Sequence, residues 1–128
     1  MKIVGPRTYE VKAADFPIAV LVEAQNEPAC RAIASDLQVV KDGALAETIP
    51  VNAIDNPANL STSFAIPRPR TAVPCDIVSV LHCWFDDKAP DTAAYKITIT
   101  AQSGDTATTK VGVPTVNPGM ANLVFRSR

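Results

Sequence analysis

The stretch that decides the fold is PDTAAYKITITAQSGDTATTKVGV, residues 90–113. From Tyr95 onward its residues alternate, with Tyr95, Ile97, Ile99 and Ala101 set against Lys96, Thr98, Thr100 and Gln102. Successive side chains of a strand point to opposite faces, so the pattern describes a strand with one buried and one wet face. Ser103-Gly104-Asp105 supplies a turn in which Gly104 is free to take a positive φ. The return, residues 106–113, is rich in Thr and Val, which suit a pleated surface. Val111 and Val113 are expected on the buried face beside Ile97 and Ile99. Pro114 cannot donate to a ladder and closes the strand.

Outward from this hairpin the chain keeps the same character. Ile3-Val4 and residues 9–11, broken by Gly5-Pro6, read as one interrupted strand at a sheet edge. Residues 18–24 are apolar on both sides, which predicts a central strand. Two readings stand for residues 26–37. Asn26 as a cap, Pro28 as an opener and Cys30, Ile33, Ala34 and Leu37 at helical spacing describe a short helix; a loop or strand fits as well. Residues 37–40, the turn Lys41-Asp42-Gly43 and residues 44–51 predict a second hairpin, Asp-Gly being a favoured tight-turn pair. Leu45, Ile49 and Val51 are expected to face inward, with Glu47 the exception that puts this strand near an edge.

Residues 52–59 read as a loop, 60–66 as an alternating strand and 75–84 as a long apolar strand. A Pro/Gly loop at 114–119 leads to a last strand at 121–125, with Arg126 and Arg128 as a solvated tail. That makes eight or nine strands, no repeat of fixed period, and one domain over residues 1–128.

Composition agrees with this outline. Of the 128 residues 47% are apolar but only 5% aromatic, and eleven prolines stand against five glycines. Such a proline load suits short strands joined by stiff loops and opposes long helices. The formal charge of −1, with no basic run, argues against nucleic acid, whose binding domains show a cationic face. No apolar stretch has the length of a membrane span. No apolar segment follows Met1-Lys2, so no signal peptide is visible. The chain then either stays inside a cell or is a mature piece of a protein; a cell-surface, extracellular or virion setting is the expectation, with localisation otherwise open.

Cys30, Cys75 and Cys83 are odd in number, so at least one is unpaired within the chain. A Cys75–Cys83 or Cys30–Cys83 bridge suits a secreted protein. The other reading makes them small buried hydrophobes.

Candidates for chemistry are sparse. The single histidine, His82, lies in an apolar strand on the face of Val78, Val80 and Trp84, with Cys83 facing away. Any Ser-His-Asp or Cys-His device would be built on it; the bland reading is a half-buried His with a structural hydrogen bond. No Cys or His pair has the spacing of a structural zinc site. Asp86, Asp87 and Asp91 share one loop and are candidates for calcium, although solvated turn formers read the same way. No glycine-rich phosphate loop is present, and no cofactor is expected. Trp84 and Phe85 at a strand end are candidates for a small carbohydrate or protein contact, against a role in the core. Pro67-Arg68-Pro69-Arg70 is either an extended basic ligand for a partner, carried by Arg68 and Arg70, or a stiff linker.

Asp91-Thr92-Ala93-Ala94-Tyr95 resembles the D-T-A-x-Y element that opens strand F of immunoglobulin variable domains, where the Tyr hydroxyl bonds back to upstream backbone. The run that follows resembles the last hairpin of bacterial immunoglobulin-like and fibronectin III-like modules. The resemblance covers roughly residues 77–113 and implies a structural role for Asp91 and Tyr95. It departs at Ile97, which stands where an antibody domain has its second core cysteine, and at Trp84, too close before Tyr95 to be that family's strand-C tryptophan.

The expected fold is therefore all-β: an immunoglobulin-like β-sandwich of eight to nine strands, with a jelly-roll sandwich as the alternative topology. The expected function is a non-catalytic binding or structural module (adhesion, surface or accessory) that presents loops or sheet edges to a macromolecular partner, protein or surface glycan. One rival is a structural component of an assembly, such as a phage tail or capsid accessory protein, with self-association included. The other is a small enzyme or carrier with a deep pocket and a polar partner near His82.

Overall fold

The computed structural model describes residues 1–25, 33–85 and 91–128. Twelve strands are present among them: β1 Lys2–Gly5, β2 Thr8–Val11, β3 Ile18–Ala24, β4 Ile33–Ala34, β5 Leu37–Lys41, β6 Ala44–Ile49, β7 Ile54–Asn56, β8 Ser61–Ile66, β9 Cys75–Cys83, β10 Thr92–Thr100, β11 Thr106–Pro114 and β12 Gly119–Ser127. They form two sheets. One runs β1-β2-β12-β9-β5-β6, with β4 also pairing β9; the other runs β11-β10-β3-β8-β7. The fold is an all-β sandwich. No helix among the described residues is long and apolar enough to cross a membrane.

The hairpin of residues 92–114 forms as its alternation dictates. Tyr95 lies opposite Val111, and Ile97 and Ile99 oppose Thr109 and Ala107. Ile97 and Ile99 are fully buried, and Val111 and Val113 nearly so. At the turn, Gly104 N–H donates to the Ala101 carbonyl (2.9 Å) and Ala101 N–H to the Asp105 carbonyl (2.8 Å). Gly104 takes φ +97°, a region closed to most residues by their Cβ. In the second hairpin Asp42 and Gly43 both have positive φ, 52° and 77°, as the tight turn matched to strand twist requires.

Inward-facing residues of both sheets build one core. β3 lies between β10 and β8, with Ile18, Val20 and Val22 at most 1% exposed. Across the sandwich, β12 runs parallel to β2, bringing Phe125 opposite Tyr9, and their rings stack at 5.1 Å and 20°. The Tyr9 hydroxyl then crosses the core to bond Thr109 on β11. Among the described residues the buried Thr62 and Ser79 hydroxyls have no hydrogen-bond partner, each a cost of about 1–3 kcal/mol.

Twelve strands stand among the described residues where eight or nine were expected, and β7 lies within residues 52–59, which read as a loop. Three further expectations change and one open reading closes. Residues 3–11 are not one interrupted strand: β1 turns at Pro6-Arg7 and pairs antiparallel with β2, because Gly5-Pro6 favours a turn over a gap. Leu45 faces out, 61% exposed, while Ile49 is buried as expected. The ladder shifts register between Val39 and Val40, which pair Glu47 and Leu45. A bulge there adds one residue and reverses the facing of everything before it. Residues 33–37 carry no helix: β4 pairs β9 and Leu37 opens β5, while residues 26–32 lie outside the described residues. The tail is no loose end, since β12 continues through Arg126 to Ser127. Arg128 N–H donates to the Val11 carbonyl and its guanidinium pairs Asp76 at 3.4 Å. A strand flanked on both sides keeps its last residues bonded.

Candidate functional site

Strand β9 leads to one end of the sandwich that carries exposed apolar side chains. Ile77, Ser79, Leu81 and Cys83 point into the core and Val78, Val80 and His82 point outward, half-buried. Past its end the alternation continues: Trp84 is 63% exposed and Phe85 is buried. Phe85 is thereby corrected from a contact candidate to a core residue. Its backbone is held by one side chain, with Phe85 N–H donating to Asn117 Oδ1 (2.7 Å) and Asn117 Nδ2 to the Phe85 carbonyl (2.9 Å). The amide of Asn117 thus replaces a strand partner and ties the 114–118 loop to residue 85.

Gly119 lets this clamp close. A Cβ there would sit 2.7 Å from Phe85 Cε2 and 2.7 Å from the Pro114 carbonyl oxygen. Gly119→Ala is expected to cost about 1–3 kcal/mol through overpacking, read as a lower urea midpoint. An unchanged midpoint would show that Phe85 is not packed there. The clamp displays Trp84 together with Val116 and Met120, which are 63% and 53% exposed.

The outer face of the same sheet carries half-buried Val40, Val78, Val80 and Val124. Beside them runs a row in which Lys2, Glu10, Arg126 and Asp76 are successive cross-strand neighbours. Opposite charges in such positions attract.

His82 Nδ1 lies 3.3 Å from Ser35 Oγ, a polar partner. The cavity beside it is about 10 Å³, lined by Leu81, Cys83, Tyr95, Ile97, Val111 and Val113. That is far below the hundreds of Å³ typical of ligand pockets.

Cysteine chemistry differs from the reading of three buried thiols. Cys83 is disulfide-bonded and Cys75 is free and buried, which excludes a Cys75–Cys83 bridge; Cys30 lies outside the described residues. Burial pushes the Cys75 thiol up, partly opposed by Lys41. The Tyr95 hydroxyl lies 3.0 Å from Cys83 Sγ. A bridged sulfur has no proton, so the phenol is the donor. Desolvation pushes Tyr95 up to about 12. It also raises Tyr9, where the Thr109 bond works the other way.

Of the calcium candidates, Asp86 and Asp87 lie outside the described residues. Asp91 is exposed, and its carbonyl accepts the Thr115 N–H at 3.3 Å. Among the described residues no group of three or more acidic, His or Cys side chains is placed to hold a metal.

Arg68 and Arg70 are exposed on either side of buried Pro69. They line an open groove of about 700 Å³ whose other wall is Ala46 to Ile49 of β6 and Pro50 beyond its end. Glu47 Oε1 accepts from Arg70 N–H (3.0 Å), Thr71 N–H (3.1 Å) and Thr71 Oγ1 (2.9 Å). Lys41 Nζ binds the Ala72 and Pro74 carbonyls. The segment is therefore a connection between β8 and β9 fastened to the β5–β6 hairpin.

Two parts of these surfaces were outside the sequence reading. Met120 had a signal, since it falls on the polar side of an alternating strand with Asn122 and Arg126. The groove had none, because its walls are twenty residues apart in the chain. No protein-family model matches this sequence, and neither a curated protein nor a solved structure was found to match it.

Proposed function

We propose that this chain is a non-catalytic binding module, an immunoglobulin-like sandwich that engages a protein partner through the end bearing Trp84, Val116 and Met120. The supporting observation is the exposure of the chain's one tryptophan beside an exposed methionine. Tryptophan and methionine are enriched in interface cores, and tryptophan is a frequent energetic anchor. The Asn117–Phe85 clamp holds that anchor before contact, which lowers the ordering cost of binding.

The test uses tagged wild type and Trp84→Ala on extract of the source. A specific partner should be retained by wild type and lost at least tenfold by Trp84→Ala, with equal melting temperatures. Retention of that partner by both proteins sinks the reading. Because Trp84 is the only tryptophan, its emission should also shift blue as the partner covers it.

A second reading, a component of an assembly, is favoured by β11. This nine-residue strand ends its sheet, and an unpaired strand edge is a template for another chain. Sedimentation separates the two: a stable homogeneous particle of the pure chain favours assembly, a monomer the lone module.

A further inference from the structure

The groove between β6 and residues 67–71 is distinct from the Trp84 end. It lies at the sheet's edge strand, whereas Trp84 follows β9, two strands further in. We propose that it is a second binding site, for an extended acidic peptide with carboxylates at alternating positions.

Charge is the first argument. The guanidiniums of Arg68 and Arg70 line the groove, and neither has a hydrogen bond or ion pair among the described residues. The one acidic group in the lining, Glu47, is engaged by three donors through one oxygen. Those donors are neutral, so Glu47 keeps its charge, but two guanidiniums against one carboxylate leave the lining net positive. Guanidinium also pairs with carboxylate in a bidentate fork that an ammonium cannot make.

Spacing is the second. Arg68 and Arg70 are two residues apart on either side of buried Pro69, with a bend at Arg70. Alternate side chains of an extended ligand repeat at about 7 Å on one side, so carboxylates two residues apart match two arginines two residues apart. The third is backbone. Among the described residues β6 pairs only β5, and its residues 46–49 line the groove, which leaves backbone groups on its outer edge for an added strand. Finally, the wall is fixed in advance. Proline on both sides of Arg68 limits its backbone, and Glu47 and Lys41 fasten the residues that follow.

A fluorescein-labelled peptide of alternating Val and Glu, and its Val-Lys counterpart, test this by anisotropy at low salt. Wild type should bind the acidic peptide at least tenfold more tightly than the basic one, and weaken as salt rises. The charge-reversed double variant Arg68→Glu/Arg70→Glu should lose that binding at least tenfold while keeping its melting temperature, since both side chains are exposed. Trp84→Ala should bind the peptide as wild type does, which separates this site from the proposed partner end. No binding, equal binding of the two peptides, or binding unchanged in the double variant overturns the proposal.

Discussion

Replacing Phe125 with alanine is expected to lower stability by about 3–5 kcal/mol, the range for deleting a fully buried aromatic ring. Phe125 is fully buried on β12, between β2 and β9. Its ring backs that of Tyr9, whose hydroxyl reaches Thr109 in the opposite sheet. Truncation therefore opens a cavity and frees the ring that carries a cross-sheet bond. Two consequences follow for urea denaturation. Phe125→Leu should recover most of the loss, and Phe125→Ala with Tyr9→Phe should cost less than the sum of the two, because they share one interaction. A midpoint shift equivalent to less than about 1 kcal/mol for Phe125→Ala would mean the sheets do not close over this residue.

The second large effect is alkaline. Tyr95 titrates near 12 in the folded chain because burial disfavours its phenolate, against about 10 for an exposed phenol. Below pH 10 both states are protonated and this group does not make stability depend on pH. Between about pH 10 and 12 the unfolded chain sheds the proton and the native state keeps it, so unfolding gains on folding as pH rises. Burial of the phenol thereby makes a difference of about 2–3 kcal/mol across that range. Tyr9, raised in the same direction by burial, adds to the fall. Stability measured from pH 8 to 12 should begin to fall as the unfolded Cys75 thiol ionises, since burial raises that thiol in the native state too, and should drop more steeply above 10. Tyr95→Phe should flatten part of that drop, with a small loss at pH 8 from the missing bond to Cys83 Sγ. An equally steep alkaline drop in Tyr95→Phe would show that the phenol is not desolvated.

The legible parts of this fold were those governed by near neighbours. Strict alternation at 95–101 specified which of Ile97, Thr98 and Ile99 would be dry, because strand geometry couples sequence parity to facing. Asp42-Gly43 and Gly104 marked turns through backbone sterics alone. His82 was legible as half-buried on the face of Val80. Leu45 was misjudged because one extra residue in a ladder inverts parity, and a bulge is visible only against the partner strand. Phe85 was open for a related reason: at a strand end, alternation competes with the turn, and the Asn117 amide kept the backbone extended long enough to bury the ring.

Local residue order carries the β-rich character of the chain, the places where its main hairpins turn, and the apolar side of each regular strand. Those properties depend on dihedral preferences and on side chains a few residues apart. Long-range packing instead sets β12 parallel to β2, puts β6 at the edge of the described sheet, and directs the Glu47 carboxylate to the loop bearing the arginines. It likewise decided that Trp84, Val116 and Met120 share one end. These are pairings between segments tens of residues apart, chosen by which faces bury most completely together, and no local pattern encodes them.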